Sequence, residues 1–176
     1  MHPVDELVAA LATSRRQLLG AVERLAQEDL DRRPAAGAWS PGEVLDHLAK
    51  SEAGTVNVCG RLLREAVSAG AGSDAALGSQ LRALDFAELD DRERRHESPD
   101  FVRPDQGAAR DDLLNRLAAS RVGLLDVARR ARGTDLTRFT FPHPLLGPLT
   151  LYQWFVFVAQ HEARHTLQIP GASPAA

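Results

Sequence analysis

"LYQWFVFVAQHEARHTLQI", residues Leu151 to Ile169, carries two histidines four apart with a glutamate directly behind the first. His161-Glu162-Ala163-Arg164-His165 spells H-E-x-x-H, in which two helical histidines hold zinc and the glutamate serves as general base in metalloproteases. Whether these residues belong to a protease decides the fold. Leu151, Trp154, Phe155 and Val158 recur at helical spacing, and His161 and His165 continue the same face. Both histidines are therefore expected to point into an apolar interior. Thr150 stands before the run as a helix cap, and Pro170-Gly171 closes it near Ile169.

A zinc protease needs a third ligand. The extended protease pattern calls for glycine at position 168 and histidine at 171, where this chain has Gln168 and Gly171. No acidic residue follows Glu162, and no alternating stretch offers a β-edge for an extended peptide. A third ligand is expected upstream, and the chain is not expected to be a protease.

Upstream, three further segments have helical periodicity. The first spans about Val4 to Ala26, with Leu7, Val8, Leu11, Leu18, Val22 and Leu25 as its stripe, and ends before Pro34 and Gly37. The second has a sharp start. Ser40 is the cap, Pro41 the first helical residue, and Glu43 completes a capping box. It continues through Val44, Leu48, Thr55, Cys59 and Leu62 to about Ala69. The third spans about Ala108 to Ala131, with Leu113, Leu114, Leu117, Val122, Leu125 and Val127, and Gly133 as its stop. Residues 70 to 107 read as a long connection holding a short helix from Gln80. "FTFPHPLLGPLT" (Phe139 to Thr150) reads as a proline-rich link. No internal repeat is visible.

The expected fold is an all-α four-helix bundle spanning residues 1–176 as one domain. Short links allow helices one and two, and three and four, to be antiparallel neighbours. The long crossover between helices two and three can return along the bundle, which gives an up-down-down-up order. Helices two and four are then antiparallel, and the start of one lies beside the end of the other. His47 stands seven residues after the Ser40 cap, roughly 10 Å along the axis. That places it level with His161 and His165. Three imidazoles at the mouth of an apolar bundle, with a position left open, make a recognisable metal geometry.

"AWSPGEVLDHLAKSE" (Ala38 to Glu52) and "FPHPLLGPLTLYQWFVFVAQHEARHTLQI" (Phe141 to Ile169) together resemble the DinB-like (DinB/YfiT) four-helix proteins. The resemblance covers the helical layout of most of the chain, while residues 70 to 107 match nothing distinctive. It implies an up-down-down-up bundle with a three-histidine divalent-metal site whose ligands fall on His47, His161 and His165, in agreement with the helical-wheel reading. Relatives in that family include bacillithiol S-transferases and mycothiol-dependent maleylpyruvate isomerase. The resemblance thus implies metal-activated thiol chemistry on a small electrophile. The expected cofactor is one divalent transition metal (Zn, Ni or Fe), and the expected partner a small-molecule substrate with a low-molecular-weight thiol. The alternatives are a stress-related metal- or ligand-binding bundle without turnover, and a structural bundle whose histidines hold nothing.

Other residues have two readings each. Glu52 is a ligand or base, or else a paired carboxylate. Glu162 orients a ligand or pairs with an arginine. His143, between two prolines, reaches substrate or sits in a solvent-exposed loop. Trp39 and Trp154 are packing residues, with Trp154 the better candidate for lining a pocket. Arg164 and Gln168 could bind an anionic group at the helix end, although Arg164 reads first as a surface residue. Cys59 lies about three turns from His47, too far to act as a nucleophile beside it. His96 belongs to the solvated charge run "RERRHE".

Composition excludes other classes. The formal net charge is -3, with no basic cluster to grip a phosphate backbone, so nucleic acid is not an expected partner. The single cysteine allows neither an intrachain disulfide nor a cysteine-based zinc cluster. No apolar run approaches the roughly 18 residues of a membrane span, and no secretory leader is visible, so the expected location is the cytoplasm. Leucines beyond one narrow stripe on helices one and three lead to an expected homodimer.

Overall fold

The computed structural model describes residues 2–74 and 98–172. The short helix expected from Gln80 and the expected charge run around His96 lie outside the described residues. Five helices are present in those stretches: α1 (Pro3–Val22), α2 (Gln27–Asp31), α3 (Pro41–Ser68), α4 (Arg110–Ala131) and α5 (Leu151–Thr166). A 3₁₀ turn at Asp100–Val102 precedes α4. A hairpin of β1 (Thr140–His143) and β2 (Gly147–Thr150) precedes α5.

The helix starts follow local chemistry. Ser40 and Glu43 form the expected capping box at α3, and Thr150 and Gln153 form a second at α5. The first helix stops at Val22, short of the expected Ala26, and restarts as α2. The restart carries Leu30 into the core, where it is fully buried. Its backbone then lies hard against Gly42, where an added Cβ would meet the Leu30 carbonyl oxygen at 3.0 Å. The Gln27 side chain on α2 accepts from Arg110 N at 2.9 Å and donates to Ala108 O at 3.2 Å, which fixes the entry to α4.

The hairpin differs from the expected plain link. Its strands are antiparallel, with Thr140 opposite Thr150 and Pro142 opposite Pro148. A proline in each strand and only four residues per strand leave no alternating pattern to read. Gly147 takes a φ of +74°, which lets the chain turn back.

Two apolar clusters fill the ends of the bundle and fix its direction. One gathers Val4, Leu7 and Leu11 of α1, Cys59 to Ala66 of α3, Leu124 to Ala131 of α4, and Leu151 to Ala159 of α5. The other gathers Leu18 and Val22, Val44 to Ala49, Leu113 and Leu117, and Ile169. Thus α1 and α5 run one way while α3 and α4 run the other, the expected up-down-down-up order. The most extensive packing is between the parallel pairs α3–α4 and α1–α5, followed by the antiparallel pair α3–α5. The closest neighbours are therefore not the helices joined by short links. At the α3–α4 contact, a Cβ on Gly123 would come within 3.1 Å of Val56 Cγ1, so glycine permits the close approach.

Among the described residues, no helix is long and apolar enough to cross a membrane.

Candidate metal centre

Because α3 and α5 are antiparallel, His47, early in α3, meets His161 and His165, late in α5. One ligand atom from each ring lies within 4.8 Å of those from the other two. The three sequence-predicted residues are together, and the group could hold a metal ion. His47 Nε2 is 3.1 Å from His161 Nε2. In a tetrahedral site with Zn–N bonds of ~2.0–2.1 Å, ligand nitrogens sit about 3.3 Å apart. The cluster is thus near the required size.

Two of the rings are oriented from behind. His47 Nδ1 lies 2.7 Å from the Val102 carbonyl oxygen, which only accepts, so Nδ1 carries the proton and Nε2 keeps its lone pair. His165 Nδ1 donates to Gln168 Oε1 at 2.9 Å. Val102 belongs to the turn that ends the crossover. The crossover is tied down beside it, where Asp105 N donates to Asp46 Oδ2 and Lys50 Nζ donates to Arg103 O.

Aromatic rings close the cluster on two sides. Trp39 stacks on His165 with centroids 5.8 Å apart and tilts against His47 at 4.8 Å. Phe157 stacks on His161 at 4.9 Å. Burial lowers the pKa of all three histidines. On His47 it outweighs the Val102 hydrogen bond and the Asp46 charge, with a smaller push in the same direction from Lys50, and for His161 and His165 the mutual repulsion of the rings adds to it. His165 is pushed down to about 3 and His161 well below the usual histidine range. At neutral pH the site therefore presents three uncharged imidazoles, the form that coordinates transition metals.

The carboxylates are elsewhere. Glu52 and Glu162 are buried one level deeper, in a square with Arg15 and Arg121. Each of α1, α3, α4 and α5 supplies one of its four side chains. Arg15 reaches Glu162 Oε1 through Nε at 2.6 Å and Glu52 Oε2 through Nη2 at 2.5 Å. Arg121 reaches Glu52 Oε1 through Nε at 2.5 Å and Glu162 Oε2 through Nη2 at 2.9 Å. Ser14 and Ser120 donate to Glu162 and Glu52, and the spare guanidinium nitrogens donate to the Leu117 and Leu11 carbonyls. Burial works against the charge on Arg121, but the two carboxylates outweigh it and raise its pKa. Of the two readings of Glu52 and Glu162, pairing with arginine is the one observed.

The sequence contained a signal for the square. Arg15 sits on the Leu7, Leu11, Leu18, Val22 stripe and Arg121 on the Leu113, Leu117, Leu124 stripe. A charge on a core face needs a buried partner. Trp39, and not Trp154, is the tryptophan against the histidines. Trp154 packs on His143 and Phe157. His143 is half-buried, not in an exposed loop, and its pKa is pushed down to about 4 by burial. Its Nδ1 accepts from Leu145 N and Leu146 N. Arg164 is half-buried and engaged, not a plain surface residue. Cys59 is fully buried in the other apolar cluster, and burial raises its thiol pKa. It takes no part in the site.

Comparison with known proteins follows the same lines. The model described as the DinB superfamily matches residues 10–169. The chain is 28% identical over 158 residues to the uncharacterized protein YuaE of Bacillus subtilis (strain 168), covering 89% of this chain and 90% of that protein. It is also similar to the crystal structure of TT2238, a four-helix bundle protein, with a TM-score of 0.63 and 25% identity. That match covers 93% of this chain and 95% of the other.

Proposed function

The chain belongs to the DinB superfamily, and on that footing we propose that His47, His161 and His165 hold one divalent transition metal in an enzyme of the thiol S-transferase type. The observation that carries this reading is the convergence of three uncharged imidazoles, two buried and one half-buried, with two of them oriented from behind. Three neutral nitrogen donors suit Zn, Ni or Fe(II) better than Mg or Ca. When bound, such an ion would lower the pKa of a thiol or water so that it is nucleophilic at neutral pH.

The protein's own part is orientation and exclusion of water. The Val102 carbonyl and Gln168 fix two tautomers, and Trp39 and Phe157 shield the rings from both sides. In the proposed reaction the sulfur of a low-molecular-weight thiol bonds to an electrophilic carbon. The thiol proton and the electrophile's leaving group are released. Likeness to the thiol transferases of the family supports this choice of chemistry.

A second reading, a metal-holding bundle without turnover, is favoured by a different observation. The nearby carboxylates Asp46, Glu52 and Glu162 are each paired with lysine or arginine, so none is spare to act as a general base. Metal analysis of the purified protein tests the site. Consumption of a thiol in the presence of electrophiles, with and without chelator, separates the two readings. Chelator-sensitive consumption is expected, and its absence in metal-loaded protein supports the carrier.

A further inference from the structure

His143 and Trp154 carry hydrogen-bond donors that the fold does not use. Strand β1 turns alternate residues inward, so Phe141 and His143 are half-buried while Thr140 and Pro142 are exposed. The His143 ring packs on Trp154 and Phe157, with centroids 5.1 and 4.5 Å away. Its Nδ1 accepts from Leu145 N and Leu146 N, both at 3.2 Å, within the hairpin turn. Two N–H groups aimed at Nδ1 leave no proton there, so the neutral ring carries its proton on Nε2. The described hydrogen bonds of this ring are those at Nδ1, and Nε2–H is spare. Across the hairpin stands Gly147, where an added Cβ would meet nothing within 4 Å, so no side chain crowds the ring from the other strand.

Trp154 is the second case. It is 6% exposed, and its indole N–H is buried with no acceptor among the described residues. A buried tryptophan N–H ordinarily finds a partner, and leaving it bare costs stability. This bare donor belongs to a ring that lies against His143. Phe157 touches both rings and stacks on His161 at 4.9 Å. One aromatic side chain thus separates the two spare donors from the histidine cluster.

We propose that His143, Trp154 and Phe157 form the subsite that holds the electrophilic substrate, and that it takes a carbonyl oxygen on a flat apolar body. The inference rests on the metal-centre reading above for the place where the reaction occurs. The carbonyl oxygen accepts from His143 Nε2–H and Trp154 Nε1–H, and the body lies on the aromatic rings. The carbon to be attacked then faces the three histidines. A few polar groups on apolar walls are what fixes the orientation of a small ligand. Both donors are neutral, and Arg61, whose guanidinium lies over the Phe141 ring at 5.4 Å, is already paired with Glu65. An uncharged acceptor therefore suits the subsite better than a carboxylate. His143 belongs to the hairpin and Trp154 to α5, so the oxygen enters between two elements joined at Thr150. A small outward shift of the hairpin turn opens that gap and carries His143 with it.

The test uses acetophenone, a flat aryl ketone, as the probe. Ethylbenzene is the same body without the oxygen, and benzoate is the charged counterpart. Nitrogen–proton NMR follows the Trp154 indole N–H, one of two indoles in the chain, in metal-free and zinc-loaded protein. Acetophenone should move that signal downfield to saturation in both forms. In metal-free protein it should bind more tightly than either ethylbenzene or benzoate. His143→Phe keeps a ring on Trp154 and Phe157 but removes the donor, and should weaken acetophenone roughly three- to tenfold. His143→Gln keeps an N–H and should recover part of that loss, while ethylbenzene affinity should change little in either variant. An indole signal that acetophenone leaves in place overturns the proposal. So does equal or tighter binding of ethylbenzene or benzoate, or wild-type acetophenone affinity in His143→Phe protein. Because binding is read without metal as well, the two readings fail separately. Ketone binding by a protein that takes up no zinc removes the metal and upholds the subsite. Zinc uptake without ketone binding upholds the metal and removes the subsite.

Discussion

Two polar clusters are buried at adjacent levels of one bundle, and they are opposites. In the square of Arg15, Glu52, Arg121 and Glu162, two positive and two negative groups meet, and every guanidinium nitrogen that points inward finds an acceptor. The three histidines have no counter-charge among them and each brings one ring nitrogen to a shared centre. Polar groups removed from water need partners. The square supplies its own, whereas in the proposed reading the triad is completed by a metal from outside. Both clusters are buried polar residues on apolar helix faces, and only the satisfaction of their hydrogen bonds separates a structural device from a site.

The largest expected effect is on the square. Arg121→Met leaves Glu52 and Glu162 with one guanidinium between them, and breaking a buried pair typically costs about 3–5 kcal/mol. Urea unfolding of the metal-free protein should show a loss of that order. Changing Glu52→Leu together with Arg121→Met should recover part of it, because no lone charge then remains. If Arg121→Met unfolds at the wild-type urea concentration, the square does not hold the bundle together.

Acid should act on the triad. The folded protein holds these histidines neutral with depressed pKa values, whereas unfolded histidine titrates near 6.5. The unfolded state then binds more protons below that value. Stability of the metal-free protein is therefore full above about pH 6.5 and falls as pH drops toward 3. His165 alone, shifted to about 3, should account for about 2 kcal/mol at pH 5. His165→Phe should flatten this slope, as read from melting curves across that range. An unchanged slope would show that the ring is solvated in the native state.

The smallest effect sits at the start of α3. Ser40→Ala removes the hydrogen bond to Glu43 N that fixes the first turn, two turns before His47. A cost of about 1 kcal/mol is expected. Metal affinity should fall only slightly, since Val102 and the packing of Trp39 still hold His47. A loss of affinity as large as that of a ligand variant would mean that the cap, and not the tertiary packing, positions the ring.

The triad was legible because a helix period and a capping box fix where a side chain falls on a helix. Ser40, Pro41 and Glu43 date the start of α3, and the position of His47 follows from them. The long crossover then orders α3 against α5. The square was half legible. Arg15 and Arg121 interrupt apolar stripes, but no local rule says which carboxylate meets which arginine across four helices. From spacing alone Glu52 could be read as a ligand or base, and Glu162 as orienting a ligand, just as well. The hairpin was hidden by its own prolines, Pro142 and Pro148, which remove the amide hydrogens and the alternation that mark a strand. His143 followed the hairpin, so its burial was hidden as well. Val102 could not be foreseen, because it acts through its backbone carbonyl and its side chain carries no trace of that role.

The measurement that tests the contrast most directly is metal uptake by wild-type protein and by His47→Ala. His47 is 114 residues from His161 in sequence, and only the antiparallel pairing of α3 and α5 brings them together. Wild-type protein should bind about one zinc per chain and gain melting temperature with zinc, because a ligand of the native state stabilises it by mass action. His47→Ala should lose most of that affinity and of the zinc-dependent gain, while its metal-free form melts near the wild-type temperature. A His47→Ala protein that binds zinc as wild type does, or a wild-type protein that binds none, would contradict the assignment of the unsatisfied cluster as a metal site.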